Sequence, residues 1–245
     1  MLYDSDFLDL WESGSRRHPL DRALLVLGAA HPDVPFDELA DWPLGHRNRA
    51  LAKLHCHQFG HRLVGYVPCA GCGEKLEVEL DGRLLAESGT NASDERTYVE
   101  VGGNRYRLPG TRDLAGVVNE TDAESAARRL VAGCVLGAGV GSESKADGWG
   151  QRPRLQGTEV EEIGARMAEA DPLAEIEVHL RCPECGRESD EAIDLVQFVW
   201  AEVEARARRI LGEVHALARA YGWTEREVLS LGAGRRAIYL EMLKP

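Results

Sequence analysis

Two C-x-x-C-G segments, Cys69-Ala70-Gly71-Cys72-Gly73 and Cys182-Pro183-Glu184-Cys185-Gly186, constrain this chain more than any other feature. Two residues between cysteines let both sulfurs face one ion, and the trailing glycine accepts the positive φ that such a turn needs. Four thiolates form the closed tetrahedral set of a structural zinc ion, whereas a catalytic zinc keeps one position open. The pattern therefore assigns Cys69, Cys72, Cys182 and Cys185 to one structural zinc. Cys72 and Cys182 are separated by 109 residues, against about 15–20 in common zinc ribbons. Loop closure grows only logarithmically with length, so the longer loop costs only about 2 kcal/mol more. Zinc–thiolate binding, on the order of 10 kcal/mol, exceeds that. The expectation is a zinc ribbon split by an insertion of residues 81–174.

Other chemistries for the cysteines fit less well. A redox dithiol uses a single C-x-x-C at a helix N-terminus. Two separate sites in a dimer would need partners for each pair. Pro68-Cys69-x-x-Cys72 matches half of the zinc deaminase signature, but the H-x-E or C-x-E half with its proton-shuttling glutamate is missing upstream. Cys56 and Cys134 fall in helical patterns and read as buried thiols. His55, His57 and His61 form a cluster with His57 and His61 at i, i+4. Without the glutamate of H-E-x-x-H this reads as a solvated helix end rather than a metal site.

A net charge of −12 argues against broad electrostatic binding to nucleic acid or anionic lipid. Residues 201–245 hold eight Lys/Arg against six Asp/Glu, so only this segment leans basic. The opening MLYDSDFLDLWESG lacks a basic stretch followed by an apolar run, so no secretory signal is expected. No apolar run approaches the ~20 residues of a membrane span. The chain reads as cytoplasmic, where paired cysteines bind metal rather than form structural disulfides.

The expected fold class is α+β: mostly helical, with a small split zinc ribbon on short β-hairpins and a long amphipathic C-terminal helix. Residues 1–60 read as short helices, over 5–12, from Pro19 to a stop at Pro32, and over 45–59. Residues 61–80 and 175–195 are the ribbon halves. Within the insertion, strands at 97–101 and 104–108 flank Gly102-Gly103, a two-residue hairpin turn. Helices are expected at 111–118, 122–136 and 158–170, with a flexible Gly-rich loop at 137–157. Residues 196–245 begin with Val196, Val199, Val203, Ala207, Ile210, Val214 and Leu217, spaced as one helix face. Gly222 suits a C-cap, Thr224 with Glu227 a capping box, and a last helix over 234–243 carries Ile238, Leu240 and Met242.

Gly137, Gly139 and Gly141 resemble a phosphate loop only in composition, since no G-K-[ST] follows. A helix–turn–helix over 223–243, with Arg235 and Arg236 on phosphate, is conceivable in outline but runs against the global charge.

A succession of short motifs adds to this reading. Trp11-Glu12-x-Gly14, Asp21-Arg22-Ala23-Leu24, Leu44-Gly45-His46-Arg47-Asn48 and Phe59-Gly60 precede the first knuckle, which continues Cys-Gly-Glu-Lys-Leu-Glu. Arg107-Leu108-Pro109, Arg112-Asp113-Leu114, Val214-His215-Ala216-Leu217-Ala218, Tyr221-Gly222-Trp223-Thr224-Glu225, Arg235-Arg236 and Tyr239-Leu240 follow. The series resembles small baseplate-associated proteins of contractile phage tails and related contractile injection systems. Its C-terminal part is similar to the baseplate hub assembly chaperone family. Ala70-Gly71, where a Cys-Pro form is more usual, departs from the pattern.

The resemblance implies a non-enzymatic assembly factor or a minor baseplate component whose partners are hub, spike or wedge proteins. It implies a bacterial cytoplasmic location, with incorporation into the finished particle left open. The final helices near Trp223, Arg235, Arg236 and Tyr239 are the expected partner surface, with packing of the helix pair as the alternative role for the two aromatics. The competing class is a zinc-ribbon regulator or adaptor that binds nucleic acid or transcription machinery. No small-molecule substrate and no membrane partner are expected.

Overall fold

A computed structural model of the chain describes residues 2–88, 97–138 and 155–244. It begins with four helices, α1 (Asp4–Gly14), α2 (Pro19–Ala30), α3 (Phe36–Asp41) and α4 (Leu44–Phe59). A hairpin of β1 (Arg62–Pro68) and β2 (Lys75–Asp81) follows, then α5 (Gly82–Glu87). The next segment holds β3 (Tyr98–Val101), β4 (Asn104–Arg107), α6 (Thr111–Val117), α7 (Ala123–Gly133), β5 (Val135–Ala138) and α8 (Gly157–Ala170). A second hairpin, β6 (Ile176–Arg181) with β7 (Glu188–Ile193), leads into α9 (Leu195–Tyr221), α10 (Glu225–Ser230) and α11 (Ala233–Glu241).

The long helix α9 organises the molecule. Its 27 residues extend ~40 Å at about 1.5 Å per residue. Asp194 caps its start by accepting the Val196 N–H at 3.0 Å, and Gly222 closes its end in the left-handed region at φ 69°. All seven residues of its apolar stripe are buried. They form one core with Phe7, Leu8 and Leu10 of α1, Val26 and Leu27 of α2, and Leu51 and Ala52 of α4. Trp200 of α9 lies against Gly14, where a Cβ would approach its ring to 2.3 Å. Arg22 stacks 4.8 Å over the same ring and donates to the Gly14 carbonyl at 3.0 Å. The early motifs Trp-Glu-x-Gly and Asp-Arg-Ala-Leu thus contribute the joint between α1, α2 and α9.

The insertion has a core of its own, made by Val99, Tyr106, Leu108, Val131, Cys134, Val160, Ile163 and Met167. Gly102 (φ 58°) and Gly103 (φ 78°) make the expected hairpin turn between β3 and β4, each in the region that disfavours side chains. The expected helix over 122–136 ends earlier, at Gly133. Val135 and Leu136 instead enter β5, which pairs with β4 and completes a three-stranded sheet. Gly137 and Ala138 extend that strand, and Leu155 packs on the second core. The Gly-rich loop expected at 137–157 otherwise falls on residues 139–154, outside the described residues. Helix α5 lies in the span expected to be inserted, yet its Ala86 belongs to the main core.

A buried polar seam joins the two cores. Asp171, after α8, accepts the Gly45 N–H at 2.8 Å. Asn48 donates to the Leu173 carbonyl at 2.7 Å. The Arg47 guanidinium donates twice to Asn48 Oδ1, at 3.1 and 3.0 Å, and reaches Thr111 Oγ1 at 3.4 Å. Arg47, Asn48, Thr111 and Asp171 are all buried. Nearby, the Leu44 N–H donates to the Pro109 carbonyl at 3.0 Å, and Arg112 pairs with Asp37 and Asp41 at the rim. The motif Leu-Gly-His-Arg-Asn is therefore structural: four of its five residues bind the insertion to the helical body. Among the described residues, no helix is long and apolar enough to cross a membrane.

Candidate metal centre

Each hairpin ends in the same backbone device. At the tip of β1–β2 the Cys69 N–H donates to the Glu74 carbonyl at 2.7 Å and the Gly73 N–H to the Cys69 carbonyl at 2.8 Å. At the tip of β6–β7 the Cys182 N–H donates to Arg187 at 2.8 Å and the Gly186 N–H to Cys182 at 2.9 Å. Gly73 (φ 77°) and Gly186 (φ 71°) hold the left-handed geometry that makes this tight turn possible.

The two tips bring all four sulfurs within 4.8 Å of one another. Cys69 and Cys185 lie 3.6 Å apart, as do Cys72 and Cys182. Four sulfurs at ~2.3 Å from a tetrahedral zinc would be ~3.8 Å apart, so the cluster has the size of a metal–thiolate site. Cys69 and Cys182 are buried on a floor of Leu76 and Leu180, and Cys72 and Cys185 face outward. Gly71 lies between the knuckles: a Cβ there would sit 3.0 Å from Arg187 Cδ and 3.3 Å from Cys185 Sγ. The departure Ala70-Gly71 thus gives the second knuckle room to approach.

The two sulfurs of the first knuckle are shifted in opposite directions. Backbone N–H groups of Cys72 and Gly71 favour the Cys69 thiolate and pull it down to about 6. The Glu74 N–H favours the Cys72 thiolate, but Cys182 and the other crowded sulfurs, with burial, push it up to about 12. The crowded site thus favours ionisation at Cys69 and opposes it at Cys72.

The hairpins form separate two-stranded sheets, with no strand pairing between them among the described residues. Their bases are seated independently. Leu63 and Val78 of the first hairpin enter the main core, and Gly65 admits the Phe198 ring, which a Cβ would meet at 2.4 Å. The second hairpin is held by Ile193 and runs directly into α9.

The remaining candidates separate from this site. His55 is buried with Nδ1 2.9 Å from the Gly60 carbonyl, closing the end of α4. His57 and His61 are exposed, and neither joins the cysteine cluster. Cys134 lies wholly inside the second core, where burial pushes its thiol up to about 11. Of the glycines weighed as a phosphate loop, Gly137 is in β5, and Gly139 and Gly141 lie outside the described residues.

The expected partner surface needs one correction. Arg236 is 2% exposed. It pairs with Asp4 of α1, with Glu213 of α9 at 2.8 Å, and with the Leu231 carbonyl at 2.7 Å. Arg206 shares the Asp4 carboxylate at 2.6 Å. Arg236 therefore fastens α11 to the body and offers nothing to a phosphate or a partner. Trp223 and Tyr239 are half-buried and pack with Tyr221, centroids 4.7 to 5.6 Å apart. Arg235 is exposed, beside Ile238 and Met242, which are also exposed rather than inward-facing. The sequence spacing carries a sign of this: Arg236, Tyr239 and Leu240 share one helix face.

No protein-family model, no curated protein and no solved structure matches the chain.

Proposed function

We propose that Cys69, Cys72, Cys182 and Cys185 hold one structural zinc ion, completing a zinc ribbon split by the insertion. We further propose that the chain is a non-enzymatic assembly factor, or a minor structural component, of the baseplate of a contractile phage tail-like injection system. The zinc reading rests on the four-sulfur cluster, whose size and four-thiolate set suit a structural metal.

The assembly reading rests on the motif series, and one observation carries it. The residues that make the resemblance are those that build the frame: Gly14 and Arg22 at Trp200, Gly45 to Asn48 in the seam, Arg107 paired with Asp113 at 2.5 Å, and Thr224 capping α10 with Glu227. A motif series of that kind marks an architecture. The partner surface is then the exposed side of α11, with Arg235, Ile238 and Met242, next to the Trp223–Tyr239 stack.

Co-expression with the hub, spike and wedge proteins of the producing bacterium tests this. A stable complex with one of them, lost in Arg235→Glu combined with Ile238→Asp, is expected. Deletion of the gene should leave no assembled tails in electron micrographs. Normal tails in the deletion strain, or salt-dependent retention of the purified chain on DNA without any baseplate complex, would replace this reading with that of a nucleic-acid-binding adaptor.

A further inference from the structure

The arrangement of the four sulfurs says more than that a metal fits. Two close pairs run between the knuckles: Cys69 with Cys185 and Cys72 with Cys182, each at 3.6 Å. Each pair also couples a buried sulfur to an exposed one, Cys69 (5% exposed) to Cys185 and Cys182 (1% exposed) to Cys72. An oxidant reaching the surface therefore meets one sulfur from each hairpin, with a buried thiol of the opposite hairpin 3.6 Å away.

We infer that the cysteine cluster is a convertible cross-link, holding the hairpins through a metal ion when reduced and through two inter-hairpin disulfides, Cys69–Cys185 and Cys72–Cys182, after oxidation by a peroxide. The inference rests on the zinc reading above. With the ion bound, Cys72 would be held as an outward thiolate; it attacks the peroxide O–O bond, forming a sulfenic acid and releasing hydroxide, which takes a proton to leave as water. The Cys182 thiolate then attacks that sulfur; the S–S bond forms and a second hydroxide leaves, protonated, as water. Cys185 and Cys69 repeat the step. Each pair of sulfurs gives up two electrons, each peroxide is reduced to two waters, and a divalent cation held by the four thiolates would be released with its charge unchanged.

The sulfurs need to close from 3.6 Å to the ~2.05 Å of a disulfide, a movement within the reach of two hairpin tips not paired to each other. An intra-knuckle bond between Cys69 and Cys72 would instead have to form across the turn closed by the Gly73 and Cys69 hydrogen bonds. The consequence is a junction that survives transfer from a reducing to an oxidising environment, as a component of an exported particle would require.

The test uses the full chain purified with its metal. Metal content is measured first; less than about one equivalent of zinc would sink the zinc reading itself, and with it this inference. The zinc-loaded protein is then titrated with hydrogen peroxide while a chromophoric chelator records zinc release. Unreduced tryptic peptides are sequenced by electron-transfer fragmentation. The expected result is stoichiometric release, with Leu63–Lys75 linked to Cys182–Arg187 through Cys69–Cys185 and Cys72–Cys182. Thermal unfolding of the oxidised protein should then be indifferent to EDTA, while that of the reduced protein is not. Linkages confined to single peptides, sulfinic acids in place of disulfides, or an oxidised protein that unfolds like the chelated one would each overturn the inference while leaving the zinc reading intact.

Discussion

Asp4 and Arg236 form an ion pair that fastens the first helix to the last. The guanidinium is almost fully enclosed, and it also donates to Glu213 and to the Leu231 carbonyl. This pair sets the position of α11, and with it the exposed face that the assembly reading assigns to a partner.

Removing Arg236 leaves the half-buried Glu213 and the Leu231 carbonyl without their donor and Asp4 with Arg206 alone. Arg236→Ala should destabilise the protein by about 3 kcal/mol, read as a lowered urea midpoint with loss of α11 protection in hydrogen exchange. Arg235→Ala, at an exposed position on the same helix, should change stability by no more than about 0.5 kcal/mol. Equal effects from the two would contradict the assignment of Arg236 as the anchor.

Two carboxylates should move stability with pH in opposite directions. Burial opposes the charge on Asp4, but Arg206 and Arg236 outweigh it and hold the group below its ordinary 3.8. Its stabilising contribution is thus present above pH 3.8 and is lost as pH falls through the lower folded value. Asp171 is raised above 3.8, chiefly by burial. Its favourable contribution is complete below pH 3.8 and is lost as pH rises through the folded value. Asp4→Asn should therefore weaken the protein at neutral pH, with the deficit closing in acid. Asp171→Asn, which keeps an acceptor for the Gly45 N–H, should be at least as stable as the wild type at neutral pH. Urea melts of the three proteins between pH 3 and pH 7 would check both; parallel curves would show that neither group is coupled to folding.

Metal removal should be felt at the hairpin tips. With free zinc a thousandfold above its Kd, the ion opposes opening by about 4 kcal/mol. Chelation, or Cys182→Ser, should raise exchange of the Val67, Leu76 and Leu180 amides by up to about a thousandfold, while circular dichroism of the helices changes little. Unaltered exchange at these amides would mean that the cysteines carry no structural ion.

Two glycine substitutions should have opposite signs. A Cβ at Gly110 would lie 2.8 Å from the Ala40 carbonyl oxygen and 3.0 Å from that of Trp42, and backbone cannot swing aside as a side chain can. Gly110→Ala should cost about 1–3 kcal/mol by prising α6 from the turn between α3 and α4. Gly212, within α9, has open space where its Cβ would be, so Gly212→Ala should add about 1 kcal/mol through helix propensity alone. Thermal midpoints measure both, and a stabilising Gly110→Ala would argue against the close approach at the seam.

Local chemistry was legible where partners are near in sequence. The α9 stripe, Gly222, the Thr224–Glu227 box, the Gly102-Gly103 turn and both knuckles could all be read directly, because each depends on residues within a turn or two. Helices α3 and α5, six residues each, are too short to show a period. Strand β5 escaped because its partner β4 lies before two intervening helices, and Val135-Leu136 alone continue a helical pattern as well as a strand. The burial of Arg236, expected on the partner surface, was hidden for a similar reason. Ile238 and Met242 look like core, and only Asp4 and Glu213, brought from distant elements, explain why Arg236 occupies the interior instead. The seam was invisible as a seam: Gly45 and Asn48 find their partners at Asp171 and Leu173, more than a hundred residues away.

The insertion leaves the first hairpin at Asp81 and returns to the second at Ile176, at the ends opposite the cysteines. Load placed on the insertion by a bound partner would enter at the hairpin bases, where the core and the buried seam resist it, and would reach the tips only by leverage. The two hairpins then act as a pair of tongs with fixed jaws and a clasp at the far end. Releasing the clasp would let the tips splay without unseating the bases, so the chain could gain slack at one end of the molecule while the rest kept its shape.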